Sequence, residues 1–374
     1  MKNKVIPILF SLLILVGFTD ALAFSRSELD KAFGEAVKSL RIPGGVMIIQ
    51  GPSGKRWTVS AGTRKLGSKS PVTVNTRFRI GSITKTYVAS LILMLVSEKL
   101  IELDTMVHNI LPDVVGPDNL VTVRDLLGMR SNIGNFAVDK RFLREFRRKP
   151  RKKWKPAALL KYGVGGLGPA GTSFVYNNTN YILLGMIIEK LTGDSFNNQV
   201  RKRILNPLKL KNTYFPTTSI KIPTPFARGY DYNPATGKVT DLSLKINPSW
   251  AWCSGNAVST ASDVMDWLVA YLDGYGIDEQ LLIEQMNLRP ALHYGVFYGL
   301  GVMSKYDAVG HNGNFAGIYT ALAFKFKGYY FVILTNGQSV GGMQDATAES
   351  VFWRVIGKTS FMNKKTATES FSKN

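Results

Sequence analysis

The chain has 374 residues, of which 45% are hydrophobic and 20% charged, and its formal net charge is +21. This composition excludes extended disorder, and the length suits one large domain or two closely packed domains. A single cysteine, Cys253, excludes an intramolecular disulfide, and the three histidines lack the spacing of metal ligands, so we expect neither a metal nor a cofactor.

Residues 1–23 have the pattern of a secretory signal peptide. Lys2 and Lys4 form a charged start before an apolar run, and the sequence ALA at residues 21–23 supplies a small-residue cleavage site. The alternative, an uncleaved membrane anchor, is disfavoured because the run is shorter than the ~20 residues that span a bilayer. We therefore expect an exported protein, periplasmic or secreted.

The sequence that follows residue 24 predicts a helix, then a β-hairpin, then a buried helix. Ser25 and Glu28 form a capping-box pattern, followed by hydrophobic residues at helical spacing. GGVMIIQ and RWTVSAG have the character of two strands of a hairpin. An extended segment, residues 77–80, then leads into TYVASLILMLVSEKL, which is apolar nearly all round and therefore predicts a buried helix.

Helical patterns dominate the middle of the chain, and strand patterns return near its end. NYILLGMIIEKLTG predicts a helix that ends at Gly193. GIYTALAFKF and YYFVILTNG predict adjacent strands joined at residues 327–328, followed by a helix from about Met343 to Ile356.

This order predicts an α/β fold of the α+β type within residues 24–357. A sheet would be assembled from both ends of the chain, about 24–80 and 240–357, around a helical part at about 81–239. Residues 358–374 would form a polar tail.

A strongly basic segment lies in the helical part. The sequence RFLREFRRKPRKKWKP contains nine Arg or Lys residues and one Glu. It predicts either a solvated loop or, over Arg141–Lys155, a contact for an anionic membrane or an anionic cell-envelope polymer. Nucleic acid is disfavoured because export is predicted and no nucleic-acid-binding module is recognisable.

Ser82 and Lys85 in the sequence GSITK are the primary catalytic candidates. A serine needs a nearby proton acceptor to become a good nucleophile, and residues three apart lie on one face of a helix. Backbone N–H groups at the start of a helix can also stabilise an oxyanion. The pattern alone is weak, because Ser370 and Lys373 repeat it in the tail.

Two further motifs support this candidate. Tyr176, in the sequence YNN, precedes a helix predicted from near Asn180. A tyrosine beside a lysine ammonium can lose its proton more readily and act as a general base, while the amide of Asn178 can orient the lysine or the substrate. The sequence HNG, residues 311–313, begins a strand, and Gly313 would let a substrate lie along that strand's edge.

Taken in order, these motifs resemble those of the serine β-lactamase and penicillin-binding superfamily. The branch of class C β-lactamases, DD-peptidases and related esterases is the most similar, through RFRIGSITKTY, FVYNNTNYILLGMIIEKLTG and GHNGNFAGIYTALAF. The resemblance implies an antiparallel sheet flanked by helices, an all-helical domain, and an active site between them.

The resemblance also implies roles for individual residues. Ser82 would be acylated, with Lys85 and Tyr176 sharing the acid–base work. Asn178 would position the lysine and the substrate. The oxyanion would be held by the backbone N–H groups of Ser82 and Asn314.

The HNG motif departs from the K-T-G of class C β-lactamases. His311 would lie on the edge strand, within reach of the tyrosine or the substrate, and histidine is largely neutral near pH 7. The departure disfavours antibiotic hydrolysis and favours a peptidase or esterase. Asn312 also removes a hydroxyl that would bind a substrate carboxylate, which argues against strict carboxypeptidase specificity.

The sequence therefore predicts an exported serine hydrolase that forms an acyl-enzyme on Ser82. The preferred substrates are stem peptides of peptidoglycan, which implies D-alanyl-D-alanine carboxypeptidase or related peptidase activity, with β-lactams as covalent ligands. Two alternatives stay open: an esterase or class C-like β-lactamase using the same site, and a non-catalytic penicillin-binding or envelope-binding protein.

Overall fold

The computed structural model describes residues 25–116, 118, 120–163, 170–291, 295–337 and 346–359. The predicted signal peptide, His293 and residues 360–374 of the predicted tail lie outside the described residues. In the part described, no helix combines the length and the apolar character needed to cross a bilayer.

Twelve strands and eleven helices are found in the described residues. The strands are β1 (Gly44–Gln50), β2 (Arg56–Gly62), β3 (Phe78–Arg79), β4 (Tyr230–Asn233), β5 (Lys238–Asp241), β6 (Val258–Ser259), β7 (Arg289–Pro290), β8 (Val296–Tyr298), β9 (Met303–Lys305), β10 (Ala308–Phe315), β11 (Tyr319–Phe326) and β12 (Tyr329–Thr335). The helices are α1 (Arg26–Ser39), α2 (Thr84–Ser97), α3 (Val107–Ile110), α4 (Val123–Leu127), α5 (Lys140–Arg148), α6 (Pro156–Leu160), α7 (Asn178–Thr192), α8 (Phe196–Val200), α9 (Ala261–Leu272), α10 (Glu279–Gln285) and α11 (Ala348–Lys358).

The main sheet has eight strands in the order β2-β1-β12-β11-β10-β9-β8-β7. Every neighbouring pair is antiparallel, and β1 joins the sheet beside β12 from the opposite end of the chain. The predicted sheet built from both chain ends is therefore confirmed, as is the hairpin of β1 and β2.

Both faces of the sheet are covered, which explains why β1 is buried along its whole length. Side chains alternate between the faces of a strand. Val46 and Ile48 belong to the core shared with the helical part of the molecule. Met47 and Ile49 belong to a second core, shared with α1 and α11.

Helix α2 confirms the prediction of a buried helix, because every residue from Thr84 to Leu95 is buried. It packs against α7, which begins at Asn178, two residues before the expected start. Gly193 ends α7 in a left-handed conformation, with φ +65°, as expected of a glycine in that position. Helix α11 begins at Ala348, and Met343, where its start was predicted, lies outside the described residues.

Candidate active site

Ser82 lies in a short 3₁₀ turn, residues 81–83, between β3 and α2. Hydrogen bonds anchor this turn from behind. The hydroxyl of Thr84 donates to the carbonyl oxygen of Gly81 at 2.7 Å and accepts from the backbone N–H of Ala257 at 3.1 Å. The serine is therefore held on a rigid turn at the head of a buried helix.

Two glycines allow this turn to pack directly against β10. Gly81 has φ +53°, and a Cβ there would lie 2.5 Å from the carbonyl oxygen of Asn314 and 2.6 Å from its nitrogen. A Cβ on Gly313 would collide with the carbonyl oxygen of Ile80 and lie 3.3 Å from the nitrogen of Ser82. The backbone nitrogens of the two predicted oxyanion donors, Ser82 and Asn314, therefore lie along one seam.

The side chain of Lys85 is fully buried, and its amine has three polar contacts. Nζ lies 3.0 Å from Oγ of Ser82, 2.9 Å from Oδ1 of Asn178 and 2.6 Å from the carbonyl oxygen of Ser254. The Ser-x-x-Lys spacing predicted that the lysine would lie close to Ser82, and the YNN motif predicted its contact with Asn178. Ser254 was not predicted.

Burial lowers the pKa of Lys85 well below its ordinary value. The contacts fit a neutral amine, since Asn178 Oδ1 and Ser254 O can only accept hydrogen bonds and take its two N–H groups. The nitrogen lone pair is then left to face the hydroxyl of Ser82. This arrangement suits a base that removes the serine proton.

Asn178 is placed by the start of α7. Its backbone N–H donates to Oδ1 of Asn135 at 3.3 Å, and Asn135 also donates through Nδ2 to the carbonyl oxygen of Tyr176 at 3.2 Å. Asn177 caps the helix by accepting from the N–H of Thr179 at 2.8 Å. Asn135, on a separate segment, thus fixes both functional residues of the YNN motif.

The ring of Tyr176 lies over the lysine, with its centroid 4.9 Å from Lys85 Nζ. Burial raises the pKa of Tyr176, and a hydrogen bond with Ser82 opposes that rise without cancelling it. The pKa directions therefore favour a neutral amine beside a neutral phenol. This differs from the expected ammonium beside an ionising phenol, and it leaves the tyrosine with a proton that it can donate.

His311 lies on β10 but is buried, with 1% of its surface exposed. Its Nε2 is 3.0 Å from the hydroxyl of Tyr298, and its Nδ1 contacts the carbonyl oxygen of Asn312. Because a carbonyl only accepts, Nδ1 carries the proton and Nε2 accepts from Tyr298. Burial lowers the pKa of His311 to about 3, so the ring is neutral. Direct contact with a substrate stays a prediction.

A cleft of about 230 Å³ opens beside Ser82. Its described lining residues come from the serine turn, the YNN motif, β10, β11 and the start of α11: Ser82, Tyr176, Asn312, Gly313, Asn314, Thr320, Ala321, Thr347, Ala348 and Glu349. On its outer side β10 pairs with β9 only over residues 308–310. The half of β10 that follows offers an edge for an extended substrate.

The sequence did not point to three residues that shape this site: Ser254, Tyr298 and Glu349. Ser254 contributes only a backbone carbonyl, which every residue possesses. In the described part of the chain no group of three or more His, Cys, Asp or Glu side chains could hold a metal ion.

A protein-family model described as Beta-lactamase matches residues 29–351, a region that contains every residue placed in this site. Among curated proteins, the chain is 28% identical over 271 residues to the unguisins hydrolase ungD' of Aspergillus campestris, covering 66% of this chain and 48% of that protein. It is 27% identical over 268 residues to penicillin-binding protein 4 of Amycolatopsis lactamdurans, covering 67% of this chain and 65% of that protein. The chain thus spans about half to two thirds of these relatives.

Two solved structures match this chain over nearly their whole length. A D-stereospecific amidohydrolase from Streptomyces sp. is 29% identical with a TM-score of 0.77, covering 88% of this chain and 98% of that one. The D-amino acid amidase from Ochrobactrum anthropi SV3, complexed with D-phenylalanine, is 25% identical with a TM-score of 0.78, covering 89% and 98%. The predicted fold class is confirmed by this likeness.

Proposed function

Because the chain belongs to the Beta-lactamase family and is a serine hydrolase of that kind, we propose that it cleaves amide bonds in D-amino-acid-containing substrates through an acyl-enzyme on Ser82. The observation that carries this proposal is the buried Lys85 amine, 3.0 Å from the serine hydroxyl. The matched structures named for D-amino-acid amidase and D-stereospecific amidohydrolase activity support the substrate class.

In the acylation step, Ser82 transfers its hydroxyl proton to the neutral amine of Lys85 as Oγ bonds to the substrate carbonyl carbon. The developing oxyanion would lie against the backbone N–H groups at the seam between Ser82 and Asn314; such donors are typically worth about 10²–10³ in turnover. The resulting ammonium is held by Asn178 and Ser254.

Collapse of the tetrahedral intermediate breaks the scissile C–N bond and needs a proton on the leaving nitrogen. Tyr176 supplies that proton and recovers one from the Lys85 ammonium, which restores the neutral amine. Water then attacks the ester carbonyl carbon and gives up a proton to the same groups, which return it to Oγ of Ser82 as the ester C–O bond breaks. The products are a carboxylic acid and an amine, and Ser82 is free again.

Peptidoglycan stem peptides are natural substrates of this class, and the enzyme would act on them either as a D-alanyl-D-alanine carboxypeptidase or as a related peptidase. An esterase or class C-like β-lactamase would use the same atoms, and His311 in place of a lysine favours the esterase of these two. A non-catalytic envelope protein would not need the polar contacts that hold the Lys85 amine against the serine.

Intact-protein mass spectrometry after brief exposure to benzylpenicillin tests the nucleophile, with Ser82→Ala as the control. A stable adduct on the wild type alone supports acylation of Ser82 and a penicillin-binding peptidase. Release of D-alanine from a stem peptide would support peptidase activity. Turnover of short acyl esters far above any peptide turnover would contradict it. Consumption of the drug without an adduct would indicate a β-lactamase.

Export is proposed from the signal-peptide pattern of residues 1–23. Cleavage after the ALA sequence would give a mature chain that begins at Phe24. N-terminal sequencing of protein recovered from the periplasm or medium of an expressing bacterium tests this, and a secreted chain that retains residues 1–23 would contradict it.

The basic segment is proposed to bind an anionic cell-envelope polymer. Much of it forms α5, whose Phe142 is buried among aromatic rings that include Trp154 at 5.2 Å between centroids. The aromatic side chains pack inward, so the outer face is cationic. A groove of about 590 Å³ on this face is lined by Arg141, Arg144, Glu145, Arg148, Lys161 and Tyr162.

Positive charge exceeds negative charge in the lining of this groove. Glu145 is already occupied, since its carboxylate accepts from Lys152 at 2.6 Å and from the Tyr162 hydroxyl at 2.7 Å. Arg144 and Arg148 form no ion pair with any described residue. Guanidinium groups in a concave surface suit the discrete anionic groups of a flexible chain.

Binding to long-chain polyphosphate at increasing salt tests this proposal. The variant Arg144→Gln/Arg148→Gln/Lys161→Gln should weaken binding at least tenfold. A control with three exposed lysines changed elsewhere (Lys38→Gln/Lys99→Gln/Lys190→Gln) should bind nearly as the wild type does. Equal loss in both variants, or binding only to phosphatidylglycerol vesicles, would overturn the polymer proposal.

A further inference from the structure

Glu349 is the only carboxylate among the described residues that line the cleft beside Ser82. It lies in the first turn of α11, and its side chain is 15% exposed. The start of this helix is fixed to the sheet, because the N–H of Ala348 donates to the hydroxyl of Thr320 on β11 at 2.8 Å. The carboxylate therefore has a defined position on the cleft wall.

The polar contacts of Glu349 leave room for another donor. One oxygen forms an ion pair with Lys305, and the other accepts from Nδ2 of Asn312 at 3.2 Å. An ionised carboxylate offers about four acceptor positions. Two donors thus hold the group in place without saturating it, and its position in the first turn of a helix stabilises the negative charge.

The cleft presents the carboxylate and not its counter-ion. Lys305 is on β9 and is absent from the described lining, which contains no lysine or arginine. Lys85 is fully buried and lies behind Ser82. A substrate carboxylate entering here would meet a like charge. A substrate ammonium would meet a fixed acceptor for a charge-assisted hydrogen bond.

We propose that Glu349 forms a subsite for the amino group of the substrate, an inference that rests on the proposed amide hydrolysis at Ser82. The enzyme would then prefer D-amino-acid amides and peptides with a free amino group in the cleft. Substrates that present a C-terminal carboxylate at this position would be disfavoured, so amidase or aminopeptidase action would exceed carboxypeptidase action.

The test compares D-phenylalanine amide with N-acetyl-D-phenylalanine amide, which lacks the positive charge. Wild-type protein should favour the free amine by about tenfold or more in kcat/KM, as expected for a hydrogen bond to a charged group. In Glu349→Gln, KM for the free amine should rise about tenfold while kcat changes little. Values for the acetylated amide should stay close to those of the wild type.

Two controls separate recognition from structural support. Glu284→Gln removes a comparable, partly buried ion pair between Glu284 and Arg124, which do not line the cleft. This variant should keep the wild-type preference for the free amine. Lys305→Met removes the partner of Glu349 but keeps the carboxylate, so the preference for the free amine should be kept or increased.

Equal losses on both amides in Glu349→Gln, or an unchanged preference, would overturn the subsite and leave the proposed function standing. A kcat loss without a KM change would also overturn it. Wild-type protein that acylates with benzylpenicillin but shows no preference for the amine would contradict the subsite alone. Wild-type protein that neither acylates nor hydrolyses either amide would overturn the proposed function, and the subsite with it.

Discussion

The amine of Lys85 lies 2.6 Å from the carbonyl oxygen of Ser254, a residue 169 positions further along the chain. Together with Asn178 Oδ1 at 2.9 Å, this carbonyl directs the two N–H groups of a neutral amine away from the nucleophile. Ser82 is left facing the lone pair. A backbone oxygen thus orients the base without adding a negative charge that would keep the lysine protonated.

The pH dependence of acylation should follow Lys85. Burial lowers the pKa of Lys85 well below its ordinary value of 10.5. As pH rises through this lowered pKa, the amine loses its proton and becomes a base. The acidic limb of the pH profile of kcat/KM should therefore lie at pH values well below 10.5. Stopped-flow acylation by benzylpenicillin over a range of pH measures that limb.

Lys85→Arg is the matched variant for this prediction. Arginine keeps a long cationic side chain but cannot be deprotonated in proteins. Acylation should fall by about 10²–10⁴, the usual contribution of general acid–base catalysis. Retained activity, or an unchanged acidic limb in the variant, would contradict the assignment of the base.

His311 should make the folded state sensitive to acid. Burial lowers its folded pKa to about 3, compared with 6.5 in the unfolded chain. Between these values the unfolded chain binds a proton that the folded state excludes. The contribution of His311 is thus complete above pH 6.5 and is lost as pH falls toward 3, at about 1.4 kcal/mol per pH unit.

Urea unfolding at pH 7, 6 and 5 measures this slope. His311→Gln retains polar atoms near Tyr298 and removes the titrating group, so the free energy of unfolding should depend less steeply on pH than in the wild type. Carboxylates titrate in both proteins, and the difference between the two slopes isolates the histidine. Identical slopes would contradict a neutral buried His311.

Local patterns in the sequence were enough to predict much of this molecule. A short apolar run paired with a second strand pattern marked β1, and the all-round apolar character of α2 marked a buried helix. Ser82 and Lys85 were found because helical spacing alone brings them together. Such signals are local, since they depend on residues a few positions apart.

Contacts between distant segments could not be found in that way. The carbonyl of Ser254 has no residue signature, and Glu349 reaches Asn312 across 37 positions only after α11 docks on the sheet. The direction of the Tyr176 pKa shift was also beyond sequence reasoning, because it depends on burial that the assembled site creates.

Gly313 should be required for catalysis because of the space that its missing side chain leaves. A Cβ there would collide with the carbonyl oxygen of Ile80, immediately before the serine turn. Gly313→Ala should push the turn away from β10 and lower kcat/KM at least 100-fold, the scale of losing one oxyanion donor. Steady-state hydrolysis of a D-amino-acid amide measures the loss.

Gly34→Ala is the control for a glycine without such a contact. Gly34 lies within α1, and a Cβ there would have no heavy atom within 4 Å. Activity should be unchanged, and the free energy of unfolding should rise by about 1 kcal/mol because alanine favours a helix. Normal activity in Gly313→Ala would contradict the close packing of the turn against β10.

Tyr176 should act on the leaving group and not on the serine. Burial raises its pKa, so the phenol keeps its proton and can deliver it to a departing nitrogen. An amide needs that proton, whereas a p-nitrophenyl ester has a leaving group that departs as an anion. Tyr176→Phe should therefore lower kcat/KM for a D-amino-acid amide by about 10²–10⁴ and that for the ester far less.

The two substrates distinguish the possible roles of the tyrosine. If Tyr176 instead removed the proton of Ser82, attack on both carbonyls would slow, and the amide and the ester would lose activity in parallel. Burst kinetics with the ester make the comparison at the acylation step itself, before water enters. A parallel loss of activity on the amide and the ester would indicate that Tyr176 is the base and that the Lys85 amine positions the tyrosine.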